Sequence, residues 1–367
     1  MSATISPSRP PAGKIANTLT SGQLPRRVEW YVLAGALALS AVILLLVGFN
    51  IAGWLVLTAV IYLIALGVLS SVVENRRKAT DRVVRGLVTV AFLLALAPLI
   101  STLLTVFTRG IGEISWDFIT QTSASVFDPD TLEVTTQVGA WQAIVGTLII
   151  TGIAALISVP IGILTAIYLV EYAQPKQWMA RTVTFLVDVM TGIPSIVAGL
   201  FAFSLFSLIV GPKAFSGFSA SVALSVLMIP IVVRSCEEML RLVPDDLREA
   251  SFALGVSRFS TIIKIVLPTA IAGIVTGVML AIARVIGETA PIFMAASFTD
   301  NFNANPFEGP MQTLPVMAYT GYKFPGQDIA ASNDSAWGAA LLLVFLVVIL
   351  NLIARVVARV FAPKGSR

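Results

Sequence analysis

The chain of 367 residues is 57% hydrophobic and only 12% charged, with a net charge of +4. Because an average soluble domain is about 25% charged, this composition predicts a polytopic membrane protein. The single cysteine, Cys236, and the absence of histidine exclude an internal disulfide framework and a Ser/His or Cys/His nucleophilic pair. They also argue against zinc, haem and iron–sulfur sites. No GxxxxGK[ST] phosphate loop occurs, so any ATP used must be hydrolysed by another chain.

The first 29 residues are polar and rich in Pro, Ser and Thr, which predicts a disordered tail. A membrane span needs about 20 apolar residues, and the rest of the chain contains eight such stretches. They are Trp30–Phe49, Ile51–Val73, Val83–Phe107, Trp141–Val170, Thr182–Val210, Ser219–Val233, Thr269–Ala296 and Ala336–Val360. The turn between the first two is so short that residues 30–73 are expected to form a hairpin.

Basic residues predict the orientation of the spans, because cytoplasmic loops carry an excess of lysine and arginine. Twenty of the 24 fall in the N-terminal tail, the segments 74–85, 171–181 and 234–268, and the C-terminal end. The outside loops hold only Arg109, Lys213 and Lys323. Both termini are therefore expected in the cytoplasm, with the chain in the cytoplasmic (inner) membrane.

Two long outside loops, 108–140 and 297–335, are acidic. Their nine acids are Glu113, Asp117, Asp128, Asp130, Glu133, Asp300, Glu308, Asp328 and Asp334. A solvated loop surface explains them, and the functional alternative is a docking face for an external partner.

The longest cytoplasmic segment, 234–268, is predicted to contain three helical pieces. The first continues the sixth span. The second starts at Pro244 and stops at Gly255, following the preference for proline at a helix start and glycine just past its end. The third runs from about Ser257 to Val266 and ends at Pro268. The middle helix is short and amphipathic, so it either lies in a partner's groove or packs on its own membrane domain.

The sequence EASFALG, nine residues, then IVLP resembles the EAA loop of binding-protein-dependent ABC importer permeases. The matching positions are Glu249, Ala250, Ser251, Gly255, Ile265, Leu267 and Pro268. Ser251 stands where the family has a second alanine, a small residue for a small residue. The resemblance implies that this helix docks into a cytoplasmic ATPase subunit and passes on its closure.

An arginine and a glutamate lie inside the seventh span, where each charge costs roughly 2.5–3.5 kcal/mol. Arg284 lies 15 residues past the start of that span, roughly 22 Å deep at about 1.5 Å per residue. Arg284 and Glu288 are four residues apart and are expected to share one helix face. They either neutralise each other as an internal staple or line a pathway, and the second is favoured because intramembrane charges usually do so. Gly287 is expected to admit a neighbouring backbone, and Pro291 to loosen the helix.

A guanidinium at this depth suits an oxyanion, because it stays charged and offers several donors. The surrounding LAIARVIGETAPIFMAA is similar to the LAIAR-x-x-GETAPL signature of the PstA-type subunit of phosphate ABC importers. A second stretch, DVMTGIPSIVAGLF from Asp188 to Phe201, matches another pattern of that family. The resemblance extends from Trp141 to Arg355 and implies a substrate path formed by Arg284, Glu288, Thr289 and Asp188.

Asp188 has two interpretations. Gly192 and Pro194 follow it and should break the helix, so Asp188 is either a capping residue of a kinked helix or part of the pathway or gate. The capping role is favoured from the residues alone.

These observations predict an all-α polytopic membrane protein with about eight transmembrane helices. The resemblance implies that six of them form a type I ABC importer permease core. The N-terminal hairpin is then an addition to this core, and its default role is lipid-facing support. The predicted domains are a tail at 1–29, the hairpin at 30–73, a first core span and external loop at 83–140, the permease domain at 141–355 with its EAA loop at 234–268, and a tail at 356–367.

The resemblance implies a permease subunit of an ATP-driven inorganic phosphate importer, not an enzyme, with no metal and no cofactor of its own. The implied partners are a homologous PstC-type permease, a cytoplasmic ATPase dimer, an external phosphate-binding protein, phosphate and the lipid bilayer, without nucleic acid. Three alternatives stay open: a permease for sulfate or molybdate, a secondary transporter or channel, and a membrane enzyme acting on lipid.

Overall fold

A computed structural model describes residues 24–361, apart from residues 26, 129–132, 175–176, 212–213 and 327. Most of the predicted N-terminal tail and the end of the predicted C-terminal tail, with Asp130 and Lys213, lie outside the described residues. The chain divides into two compact units, Met1–Leu103 and Leu104–Arg367. Each unit is described by itself.

The N-terminal unit contains the predicted hairpin, α1 (Val28–Val47) and α2 (Ile51–Val73), and most of α3 (Arg76–Gly110). Polar groups join the two hairpin helices. Ser40 Oγ and Thr58 Oγ1 are 2.6 Å apart, and Trp54 Nε1 donates to the Leu37 carbonyl at 3.1 Å. The Asn50 side chain caps α2 by accepting from the Ala52 N–H, so the short turn both starts a helix and closes the hairpin.

The core of the second unit is formed by α5 (Trp141–Ile167), α8 (Gly217–Arg241) and α11 (Leu267–Val285), with α14 (Ile329–Phe361) against α11. Small residues let these helices approach closely. In α8, Ser221 Oγ donates to the Ile150 carbonyl of α5 at 3.1 Å. A Cβ at Gly277 of α11 would lie 2.6 Å from Ser235 Cβ of α8. These contacts position the end of α11, where the intramembrane arginine lies.

The predicted fifth span, Thr182–Val210, is not one continuous helix. It consists of α6 (Trp178–Thr191) and α7 (Ser195–Val210), bent by 106° at the break between them. The break falls at Gly192 and Pro194, as predicted, because proline disfavours helical backbone at the residue before it.

The expectation that a helix ends at Pro268 is wrong. Helix α10 (Arg258–Thr261) passes through a π-helical turn at Ile262–Val266 directly into α11. Pro268 is the second residue of α11. The wider π-helical turn before it accommodates a residue that lacks an N–H and whose ring crowds a normal helical turn.

The two loops predicted to be external contain secondary structure. The first contains α4 (Trp116–Thr120) and an antiparallel pair, β1 (Thr122–Asp128) and β2 (Glu133–Ala140). The second contains α13 (Leu314–Lys323), whose Leu314 N–H donates to Thr147 Oγ1 of α5 at 2.9 Å. The residues before and in this helix, Met311 to Met317, are buried, so part of the loop belongs to the core.

Among the described residues, seven helices are long and apolar enough to cross a membrane, and the bent α6–α7 pair raises the number to eight. The predicted number of spans is therefore confirmed, although several ends differ. α3 begins at Arg76 instead of Val83, and α14 begins at Ile329 instead of Ala336, whereas α8 continues to Arg241 as predicted for the sixth span. These extensions carry charged residues, which a search for apolar runs omits.

Candidate functional site

Helix α9 (Asp245–Ala253) occupies the predicted middle of the 234–268 segment. Pro244 precedes its first turn, which contains Asp245 and Asp246, so the acids lie at the positive end of the helix dipole. Gly255 has φ +75°, a left-handed conformation that ends the helix and that glycine adopts at least cost. The predicted start and stop of this helix are both confirmed.

One side of α9 is buried and the other is open. Ser251 is buried, and its Oγ lies 2.8 Å from Thr261 Oγ1 of α10. This contact explains a serine at the position where the EAA pattern has alanine. Glu249 and Ala250 are exposed, as are three apolar residues around them, Leu247, Phe252 and Leu254. The predicted packing of α9 on its own domain is therefore confirmed for one face. The opposite face is exposed, and its docking in a partner's groove stays a prediction.

The last three positions of the motif lie where the loop enters α11. Ile265 belongs to the π-helical turn and is half-buried, as is Leu267, which packs against the core. Pro268 is exposed. These residues connect α9 and α10 to the helix that carries Arg284.

Arg248 fixes α9 to the membrane helices, a role that the sequence did not reveal. Its Nη2 lies 2.9 Å from Oε1 of Glu171, which is buried in the π-helical turn after α5. The same guanidinium donates to the carbonyls of Leu240 (2.9 Å) and Val243 (2.6 Å) at the end of α8. Arg248 also forms a salt bridge with Asp245, whose side chain is exposed. The one signal in the sequence for this contact was Glu171, a charged residue at the end of an apolar span.

The intramembrane pair lies at a break in the helix. Helix α11 ends at Val285, and α12 begins at Ala290. Glu288 therefore lies beyond the end of α11, and the predicted shared helix face is wrong. Arg284 Nη2 and Glu288 Oε1 are 4.0 Å apart, and the arginine side chain is 69% exposed. The two charges make a loose contact, and the guanidinium is free to bind another group.

Pro291 and Gly287 were both expected to affect this part of the helix, and the structure places them in different surroundings. Pro291 lies in the first turn of α12, where the missing N–H is tolerated. No atom of the described chain lies within 4 Å of a Cβ placed on Gly287, so the expected close approach of a backbone does not occur within this chain. Thr289 precedes α12, is half-buried, and makes no capping hydrogen bond with its side chain.

The two signature stretches of the sequence contact each other. A Cβ on Gly199 of α7 would lie 2.6 Å from Cα of Pro291 in α12. Only a glycine allows these backbones to come so close. The structure therefore packs one broken helix pair, α6–α7, against the other, α11–α12.

Asp188 pairs with Arg234 of α8, and not with the Arg284–Glu288 pair. Arg234 also binds Glu237 at 2.9 Å, and Glu237 binds Arg241 at 2.7 Å. This chain of charges joins α6 to α8 beside a cavity of about 510 Å³, which Arg181 also lines. Among the described residues, no group of three or more acids, cysteines or histidines could hold a metal ion.

Comparisons with known proteins show similarity to one family of transport proteins. Residues 158–367 match the family model "Binding-protein-dependent transport system inner membrane component". The phosphate transport system permease protein PstA 1 of Mycobacterium tuberculosis (strain H37Rv) is 42% identical over 293 residues, 80% of this chain and 91% of that protein. The PstA protein of Yersinia pestis is 36% identical over 301 residues, 80% of this chain and 96% of that protein. An inward-facing structure of the MetNI methionine ABC transporter is 23% identical, with a TM-score of 0.46 over 61% of this chain and 95% of that one.

Proposed function

Because the chain belongs to the family of binding-protein-dependent transport system inner membrane components, we propose that it is a permease subunit of an ATP-driven importer of inorganic phosphate. The phosphate transport permeases to which it is similar support this substrate. In this proposal the chain catalyses no covalent step. It forms half of the translocation path and transmits movement from a separate ATPase.

The exposed arginine at the helix break is the observation that carries the proposal. The Arg284 side chain is 69% exposed, and among the described residues its salt-bridge partner is the Glu288 carboxylate at 4.0 Å. Its guanidinium can donate several charge-assisted hydrogen bonds to phosphate. Glu288 holds the arginine when the path is empty and yields it to an anion, so binding is strong enough for entry and weak enough for release. Thr289, at the same break, supplies a hydroxyl.

Asp188 is assigned to a gate in this path. Its pair with Arg234 joins α6 to α8, and α6 leads through the bend into α7, which contacts the break at Pro291. Both side chains are partly exposed, so the pair is screened by water and can open at modest cost. We assign Asp188 the control of helix position, without contact to phosphate.

Coupling to ATP is assigned to α9 and its clamp. The exposed face of α9, with Glu249, Phe252 and Leu254, would lie in a groove of the ATPase subunit. Arg248 connects the opposite side of α9 to Glu171 and to the end of α8. A displacement of α9 would therefore move α5 and α8 together, and with them the core against which α11 packs.

The proposed assembly has three further components. A homologous permease would complete the path beside Arg284, two ATPase subunits would bind α9 and its counterpart, and a phosphate-binding protein would dock on the acidic external loops. Both termini lie in the cytoplasm in this arrangement, which follows from the distribution of basic residues.

Competition identifies the transported oxyanion. Cells that depend on this chain for phosphate uptake are given radiolabelled phosphate with an excess of unlabelled phosphate, sulfate or molybdate. The proposal expects only unlabelled phosphate to abolish the signal. Equal or stronger competition by sulfate or molybdate would show that phosphate is not the substrate for which this path is built.

A further inference from the structure

The N-terminal unit contains a groove of about 440 Å³ between α1, α2 and α3. Apolar side chains from all three helices line most of its length: Leu33, Leu37, Leu55, Ala59, Leu66, Val90 and Leu93. Leu55 and Leu93 are 54% and 55% exposed, so the groove opens onto the surface of the helices. These helices are apolar enough to cross a membrane, and the surface around the opening therefore faces lipid.

Close packing of α2 and α3 closes one end of the groove. A Cβ on Gly67 would lie 2.9 Å from Val83 Cγ2, and a Cβ on Gly86 would lie 2.7 Å from Leu63 Cδ2. The groove follows α3 from Arg82 to Leu93, a rise of roughly 16 Å at about 1.5 Å per residue. An acyl chain fits a slot of this length and apolar character.

Two arginines lie at the closed end, and their electrostatic environments differ. Arg82 binds Glu29 at 3.3 Å and Glu74 at 3.0 Å, and its side chain is only 16% exposed. Burial raises the pKa of Glu74. Hydrogen bonds from the Leu24 N–H and Ser70, together with the positive charges of Arg82 and Lys78, outweigh burial and lower that pKa below its ordinary value. Glu74 is therefore ionised at neutral pH, and its negative charge balances the positive charge of Arg82.

Arg85 is exposed and forms no salt bridge within the described part of the chain. Arg76, Arg77 and Lys78 precede it on the same helix, beside a single exposed acid, Asp81. Clusters of basic residues at the cytoplasmic end of a span attract anionic lipid headgroups. Glu29 also lines the groove, but its carboxylate pairs with Arg82. Arg85 thus offers a positive charge without a salt bridge where the apolar groove ends.

We propose that this groove binds one anionic phospholipid, with an acyl chain along Leu55, Ala59 and Leu93 and the headgroup phosphate on Arg85. The bound lipid would connect the hairpin to α3 along the length where the protein helices leave a gap. This gives the hairpin a specific role, which does not depend on the transported substrate.

Native mass spectrometry of the purified transporter containing the full-length chain tests the proposal. The complex is placed in nanodiscs of equal parts phosphatidylglycerol and phosphatidylcholine, and the lipids retained on release are counted. Two variants address the site: Arg85→Gln removes the charge, and Ala59→Phe fills the groove. Two controls match them: Arg355→Gln removes an exposed arginine of α14, and Val60→Phe adds the same bulk at the neighbouring exposed position.

The wild type and both controls should retain one phosphatidylglycerol in preference to phosphatidylcholine. Arg85→Gln should lower that retention about five-fold, the effect of one basic side chain at an anionic surface, and Ala59→Phe should abolish it. Size-exclusion chromatography confirms that each complex is assembled. Equal retention of the two lipids, unchanged retention in Arg85→Gln, or an equal loss in Arg355→Gln would each overturn the proposal.

Discussion

Arg284 shows most clearly how one residue connects the sequence to the proposed function. A charge inside a span is costly, yet this side chain is 69% exposed and its one acidic neighbour is 4.0 Å away. A staple would bring the two charges together and bury them. The observed geometry instead leaves the guanidinium available at a point where the helix is interrupted.

Replacing Arg284 should stop transport without preventing assembly. Arg284→Ala should lower the initial rate of phosphate uptake by about 10- to 100-fold, because a hydrogen bond to a charged group contributes roughly 1.5–3 kcal/mol. Arg284→Lys should be intermediate, since lysine keeps the charge and loses the forked geometry. Leu280→Ala, one turn earlier and also exposed, serves as the control. If Arg284→Ala transports like Leu280→Ala, the arginine has no part in the path.

The left-handed conformation of Gly255 is a second prediction for a single residue. Apart from Gly255 and its two chain neighbours, no described residue has an atom within 4 Å of a Cβ placed there, so substitutions test the backbone conformation. Gly255→Val should weaken co-purification of the ATPase, because a β-branched residue is a strong outlier at φ +75°. Gly255→Asn should retain it, because asparagine tolerates this conformation. Equal co-purification for the two variants would contradict a role for this helix end.

Single residues also mark what the sequence could not predict. The motif positions of α9 were found because they follow one another in the chain, and Gly255 was identified as the stop. The partner of Arg248 is Glu171, 77 positions away. Asp188 likewise pairs with Arg234, 46 positions away. Such pairings depend on how the helices pack, which no local pattern contains.

At the level of elements, α9 acts through the helices to which it is attached. Arg248 and Glu171 are 13% and 6% exposed. Removing Arg248 would leave the buried Glu171 carboxylate without an ionic partner among the described residues, which costs roughly 3–5 kcal/mol. Without the charge of Glu171, Arg248 keeps Asp245 and two backbone carbonyls as partners but loses its buried contact to the end of α5. The clamp involves the ends of two helices, α5 and α8. Transmission of movement should therefore be more sensitive to this pair than to exposed contacts of α9.

Glu171→Gln should uncouple ATP hydrolysis from transport. We expect ATPase activity of the assembled complex to persist, while the amount of phosphate imported per ATP falls at least about ten-fold. A loss of coupling free energy between α9 and the membrane helices above about 1.4 kcal/mol has that effect. Asp245→Asn is the matched control, because it removes the second carboxylate that pairs with Arg248. The Asp245 side chain is 87% exposed, and exposed salt bridges contribute little to stability. Parallel losses of assembly, ATPase activity and uptake would indicate a merely structural pair.

The helix breaks show how far element prediction extends. Gly192 and Pro194 predicted the α6–α7 break, which is confirmed with a bend of 106°. Pro268 predicted a helix end that does not occur, because the wider π-helical turn before it leaves room for the proline ring. The break at residues 286–289 was expected only as a loosening at Pro291. Glycine and proline identify candidate breaks, and tertiary packing decides which of them form.

For the whole molecule, apolar length predicted the number of spans correctly. It predicted their ends less well, because several helices extend into charged residues. Hydropathy alone placed α13 and the residues before it in an external loop, although Met311 and Leu314 are buried against the core. Polar contacts such as that between Leu314 and Thr147 stabilise this packing, and a hydropathy pattern does not register them. The architecture of the spans was thus predictable, whereas the packing of the loops required the structure.

Phosphate uptake by whole cells at low external phosphate is the most direct test of the central claim. Radiolabelled uptake is compared in a strain lacking this chain, the same strain complemented with it, and the strain complemented with Arg284→Ala at equal membrane abundance. We expect uptake to be lost in the deletion strain, restored by the wild-type chain, and lost again with Arg284→Ala. Unchanged uptake in the deletion strain, with other phosphate transporters removed, would contradict the assignment of this chain to phosphate import.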